Sequence, residues 1–274
     1  MNYSQYRQLF YSEINQPDEK IDLAKAALYL ALEYEPEFDP DEYLNALDTM
    51  ADELQENLPE TAYPLVIIKS INNYLYNELG FTGNTIDYYD PRNSFLNQVI
   101  ERRTGIPITL SLVYLEIANR INFPMVSIGI PGHFLIRPDF EEAGIYVDAF
   151  NLGEILFPQD CQERLASIYG RGVELQPQFL AKVSKKPFLA RMLTNLKGIY
   201  LNRNEGLKAI AAIDRILLLF PEAIVEKRDR GVLYYQLNYW AKARQDLESY
   251  LVNLPQAEDA DIIRKLLSRM SQNL

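Results

Sequence analysis

Apolar residues recur at helical spacing through most of the first eighty positions. Tyr6, Leu9 and Phe10, then Ile21, Leu23, Ala24, Ala27, Leu28, Leu30 and Ala31, fall at intervals near three and four, which line one face of an α-helix. Pro17-Asp18-Glu19 supplies a helix start, and the run from Glu35 to Pro40 breaks the pattern with two prolines. A further helix is predicted over residues 40–57, with Tyr43, Leu44, Leu47, Met50, Ala51 and Leu54 on one face, and another over 64–79. Gly80-Phe81-Thr82-Gly83-Asn84 then reads as a loop. Over residues 108–121 the chain is apolar almost all round, the pattern of a helix buried between other elements. Pro107 suits its first turn, where a missing N–H costs nothing. After Asn122-Phe123-Pro124 the period changes, and strand-like runs follow at 125–130, 134–137 and 145–149. The middle of the chain is therefore α+β.

Beyond this core the chain repeats itself. Pro221 and Pro255 stand 34 residues apart, as do Ala209 and Ala243, Tyr200 and Tyr234, and Ile213 and Leu247. The period resembles the tetratricopeptide repeat, in which a small residue sits where two helices touch and a proline closes the second. The match is imperfect: the usual tryptophan is absent, and Lys197 stands where the second unit has Gly231. A coincidental pair of helical hairpins is the alternative. A last helix over about 257–270 would cap the array, because an exposed terminal repeat leaves its apolar face in water. The expected organisation is an N-terminal helical region (1–90), an α+β core (91–178) and a helical array (179–274), mostly helical overall.

Composition narrows the class. At 274 residues, 48% hydrophobic and 24% charged, the chain reads as a globular protein with more than one core. No stretch approaches the roughly 20 apolar residues of a membrane span. The first residues lack the basic-then-apolar order of a secretory signal. One cysteine excludes intrachain disulfides. A cytoplasmic location without membrane association is expected. The net charge of −11 argues against nucleic-acid binding, which rests on cationic contacts to phosphate.

That charge is unevenly spread. Residues 1–60 are strongly acidic, with only Arg7, Lys20 and Lys25 opposing, whereas Lys182, Lys185, Lys186, Arg191, Lys197, Arg203, Lys208 and Arg215 face only Glu205 and Asp214. One reading is two solvated faces, complementary within one molecule. The other is a docking face for an acidic partner, with Lys197, Arg203 and Lys208 as the binding candidates.

Only one histidine is present, His133 in Gly129-Ile130-Pro131-Gly132-His133-Phe134-Leu135, so imidazole chemistry near neutral pH must run through it. Asp148, in Ile145-Tyr146-Val147-Asp148, is its candidate partner. A helix, a strand bearing His and a strand bearing Asp is the order of cysteine–histidine–aspartate hydrolases and transferases. Metal and cofactor sites are not expected. A lone histidine with one cysteine cannot make the common zinc sites. The acidic run 33–42 lacks the spacing and glycine of a calcium loop. Gly129-Ile130-Pro131-Gly132 lacks the lysine of a phosphate loop.

The chain resembles the SirB-type proteins, which join a branch of the transglutaminase-like superfamily to helical repeats. Asn93-Ser94-Phe95-Leu96-Asn97, Arg102-Arg103-Thr104-Gly105-Ile106-Pro107-Ile108, Pro131-Gly132-His133-Phe134-Leu135 and Asp148-Ala149-Phe150-Asn151 carry that resemblance. It implies a transglutaminase-like α+β core between the helical region and the repeats. Active members start the central helix with Gly-x-Cys and carry His, then Asp, on successive strands. A helix N-terminus favours the thiolate, and Asp orients the imidazole. Carried over, the glycine falls on Gly105, the histidine on His133, the aspartate on Asp148, and the nucleophile position on Pro107.

Proline offers neither thiol nor hydroxyl, so the resemblance implies a degenerate site. Thr104, Thr109 and Ser111 are the nearby hydroxyls, and Cys161 lies downstream of both partners. The expected function is a non-catalytic protein-interaction or adaptor role, with a protein partner on the C-terminal repeats. The alternative is a hydrolase or amide-processing enzyme that uses His133 and Asp148 with a non-standard nucleophile. A small ligand in the remnant cleft is a third reading.

Overall fold

The computed structural model describes residues 5–59, 63–140, 144–170 and 172–272. The fold is α+β and mostly helical, and the chain divides into two compact units, 1–189 and 190–274. The N-terminal helices and the strand-bearing core thus share the first unit.

In that unit, α1 (Gln5–Ile14), α2 (Leu23–Leu32), α3 (Pro40–Glu56) and α4 (Pro64–Asn72) follow the apolar periodicity. The proposed start at Pro17-Asp18-Glu19 forms a short 3-10 turn instead, and Asp22 caps α2 by accepting from the Lys25 N–H at 2.9 Å. Asp39 caps α3 in the same way, with Pro40 in the first turn. The helix expected over 64–79 changes winding part-way: residues Asn73–Glu78 are π-helical. Segment 80–84 is more than a loop, because β1 (Thr82–Gly83) pairs in parallel with β2 (Thr104–Gly105).

After α5 (Leu96–Arg102), α6 (Pro107–Arg120) forms the centre of the unit, buried almost all round as its composition predicts. Its start is locked by Thr109, whose hydroxyl accepts from the Ile106 N–H at 3.1 Å and donates to the Asn93 carbonyl at 2.7 Å. Against α6 lies an antiparallel sheet of β3 (Met125–Ile128), β4 (Leu135–Pro138), β5 (Tyr146–Asp148), β6 (Glu154–Leu156) and β7 (Lys182–Val183), in the order β6-β5-β4-β3-β7. Val126, Ile128, Leu135, Tyr146 and Leu156 form a core cluster that is closed by Cys161 of α7 (Pro158–Tyr169).

The second unit repeats its backbone as well as its sequence. The helices are α8 (Lys185–Asn202, within which the unit boundary falls), α9 (Gly206–Leu219), α10 (Ile224–Gln236), α11 (Trp240–Asn253) and α12 (Ala260–Gln272). The turns α8–α9 and α10–α11 each place an asparagine in the left-handed region, Asn204 at φ 57° and Asn238 at φ 61°. Asparagine tolerates that conformation better than most residues. The next residue closes each turn in the same way, Glu205 N–H to the Tyr200 carbonyl and Tyr239 N–H to the Tyr234 carbonyl, both at 2.8 Å.

Ala209 and Ala243 are fully buried. Gly231 is tighter still: a Cβ there would stand 2.8 Å from the Leu247 side chain. Gly231→Ala should therefore destabilise this unit by about 1–3 kcal/mol through overpacking. Thermal unfolding of the variant checks this, and an unchanged melting temperature would refute the close packing.

Candidate functional site

His133 and Asp148 come together at the end of the sheet. His133 follows Gly132, which turns the chain at φ +73°, and its Nε2 stands 2.8 Å from Asp148 Oδ2. Asp148 ends β5 and caps the 3-10 turn Ala149–Asn151. Its Oδ1 accepts from the N–H groups of Phe150 (3.1 Å) and Asn151 (3.2 Å), and its Oδ2 also accepts from Asn151 Nδ2 at 2.8 Å. Arg164 of α7 stands 3.5 Å from the same oxygen.

Burial pushes the Asp148 carboxyl up. The hydrogen bonds from His133 and Asn151 and the Arg164 charge outweigh it, holding the group below the usual carboxylate range. An ionised carboxylate only accepts, so Nε2 carries the hydrogen and donates. Nδ1 makes no hydrogen bond among the described residues. The pair thus has the polarity of a general base oriented by a carboxylate. Phe150 lies edge-on to the imidazole, with ring centroids 6.3 Å apart, and Tyr88 packs against Phe150 in turn.

Polar groups behind Asp148 hold its loop in place, and the sequence reading had not singled them out. Tyr76, on the π-helical turn, donates to the Ala149 carbonyl at 3.0 Å. Asn72 donates to the Gly153 carbonyl at 2.7 Å and accepts from the Tyr114 hydroxyl at 3.0 Å. The one available signal is Tyr114, a polar tip in the largely apolar α6; nothing local marks Asn72 or Tyr76.

The possible nucleophiles are placed as follows. Pro107 is the first residue of α6 and is buried. Thr109 is occupied by its cap, and Thr104 donates to the Arg102 carbonyl at 3.0 Å. The Ser111 hydroxyl is buried without a hydrogen-bond partner among the described residues. Cys161 sits in the sheet cluster, where burial and then the Asp160 charge push its thiol up to about 11, opposite to an activated thiolate. Native protein should therefore leave Cys161 unreacted with a disulfide exchange reagent, and one thiol should appear only in denaturant. Fast labelling of the native state would show an open, activated cysteine.

Of the three basic residues considered for docking, Lys197 is held inside the second unit. Its ammonium lies 2.7 Å from Glu226 and 2.6 Å from Asp229. Lys208 is exposed, paired with Glu205 and placed over the Tyr200 ring, and Arg203 is also exposed. Among the described residues no group of three or more His, Cys, Asp or Glu side chains is arranged to hold a metal ion.

A family model described as the transglutaminase-like superfamily matches residues 41–194. The chain belongs to the transglutaminase-like superfamily. A second model, for the tetratricopeptide repeat, matches residues 196–268. A UPF0162 protein of Xylella fastidiosa is 35% identical over 93% of this chain and 92% of its own length. One from Vibrio cholerae is 32% identical over 72% of this chain and 73% of its own. Human F-box only protein 21 is 32% identical over 64% of this chain, which is 28% of that protein. No solved structure matches. Within this transglutaminase-like unit, His133 and Asp148 are paired, while the start of α6 presents a proline.

Proposed function

We propose that this chain is a non-catalytic, cytoplasmic protein-interaction protein of the SirB type, a degenerate transglutaminase-like core joined to repeats that hold a protein partner. The observation that carries the reading is Pro107 at the first position of α6, where the resemblance puts the nucleophile. The capped Thr109 and the buried, high-pKa Cys161 support it. Among the described residues no helix is long and apolar enough to cross a membrane, in keeping with the proposed location. The docking cations become Arg203 and Lys208, which are exposed, because Lys197 is buried between Glu226 and Asp229. The intact His133–Asp148 pair, with Nδ1 open, favours a second reading as a hydrolase or amide-processing enzyme that takes its nucleophile from outside the usual position.

One comparison separates the two readings. Immobilised full-length chain is used to recover bound proteins, with wild type, His133→Ala, and an Arg203→Glu, Lys208→Glu double variant run in parallel. The adaptor reading expects His133→Ala to retain the partner and the double variant to lose it, with binding weakened by salt. Turnover of an amide in the recovered partner, abolished by His133→Ala, would overturn it in favour of the enzyme.

A further inference from the structure

A second cleft opens along the C-terminal half of α6, more than two helical turns beyond Pro107. It measures about 780 Å³ and lies between α6, the loop 18–23, β3 and the junction of β7 with α8, within the rough 300–1,000 Å³ range of small-ligand sites. Neither His133 nor Asp148 lines it.

Its polar lining is unevenly satisfied. Ser127 of β3 is only 6% exposed, yet its hydroxyl makes no hydrogen bond among the described residues. Hydroxyls buried to that degree normally have partners. On the helix wall, Glu116 gives one carboxylate oxygen to Arg120 and keeps the other. Burial pushes the Glu116 carboxyl up, and the Asp22 charge adds to that against the opposing pull of Arg120 and Lys185. Asp22 itself uses Oδ1 to cap α2.

Three of the four cations around the cleft have partners, and the fourth, Lys20, is exposed. Arg120 is paired with Glu116 and Asp48, Lys182 with Asp139, and Lys185 Nζ with the carbonyls of Glu19 (2.9 Å) and Ile21 (2.6 Å). Beside Glu116, Asp22 and Ser127 the remaining capacity is therefore for a donor, and chiefly for a cation. Backbone capacity adjoins it, since β7 pairs only with Ser127 and Ile128 and the ladder stops short of Val126 and Met125, which also line the cleft.

We propose that this cleft captures a primary ammonium borne next to an amide, the chemistry of a peptide amino-terminus. The ammonium sits against Glu116 and Asp22, and the adjoining amide meets the Ser127 hydroxyl and the open stretch of β3. An anion would meet only the exposed Lys20 and would be opposed by the carboxylates of Glu116 and Asp22. A bare amine uses the carboxylates but leaves Ser127 unmatched.

Calorimetric titration of the full chain with tri-alanine amide, its N-acetylated form and ethylamine tests this. The free peptide amide should bind, and acetylation or replacement by ethylamine should each weaken binding by about tenfold or more, the scale of a lost charge-assisted hydrogen bond. Glu116→Gln should cause a similar loss and Ser127→Ala a several-fold one, while His133→Ala leaves binding unchanged. No heat at roughly 10 mM peptide, equal binding of the acetylated peptide or of ethylamine, or indifference to Ser127→Ala would overturn the proposal. Ser127→Ala removes a single atom, so it decides the matter even if Glu116→Gln does not fold.

Discussion

Asp148→Ala is expected to destabilise the first unit by about 3–5 kcal/mol, the usual cost of removing one member of a buried charged pair. Asp148 is fully buried and joins four groups: the His133 ring, the N–H groups of Phe150 and Asn151, and the Asn151 side chain. Alanine leaves each of these donors without its acceptor. Asp148→Asn keeps the shape and the capping oxygen and should cost less, about 1–3 kcal/mol.

The pH dependence carries a definite sign. The folded pKa of Asp148 is lowered, so its stabilisation is complete above the unfolded value of about 3.9 and is lost as pH falls through the lower folded value. Urea unfolding at neutral and acidic pH measures both effects, read from the midpoint at unchanged slope. A loss below about 1 kcal/mol for Asp148→Ala would mean that the loop reorganises and the pair is not structural.

Gly153→Ala should rank beside it, at about 3 kcal/mol or more. Gly153 has φ +72°, in the left-handed region, and an added Cβ would fall 2.1 Å from Asn72 Oδ1. The new methyl must push Asn72 away, and with it go the hydrogen bond to the Gly153 carbonyl and the one from Tyr114. A double-mutant cycle isolates this cause. In Asn72→Ala, Gly153→Ala the clash is gone, so the double variant should lose clearly less than the sum of the two singles. Strict additivity would place the damage in the backbone alone. The same cycle tests whether Asn72 and Tyr114 hold the loop that presents Asp148.

Much of the fold was legible because it rests on local spacing. The helix expected over 40–57 is Pro40–Glu56, and the one over 108–121 is Pro107–Arg120. Each needed only its own apolar period and a proline at its start. The strands at 125–130, 134–137 and 145–149 appear as Met125–Ile128, Leu135–Pro138 and Tyr146–Asp148. By contrast β1, β2, β6 and β7 span two or three residues, too few to show a period of two, and they exist only through their partners. The π-helical turn escaped for a similar reason: residues 73–78 remain compatible with an ordinary helix.

The chemistry divides along the same line. A single histidine, a proline where a nucleophile is expected and a 34-residue period with paired alanines and prolines are properties of the linear chain. They establish the α+β core, the repeats and the candidate pair, because residue type and local spacing already limit what each segment can do. Spatial neighbours are another matter. Lys197 meets carboxylates 29 and 32 residues ahead, Asn72 reaches a carbonyl 81 residues on, and Cys161 is silenced by strands it merely follows. Burial and charge pairing belong to the folded surroundings and not to the residue, so folding alone determined which cation is occupied, which thiol is inert and which hydroxyl has no partner.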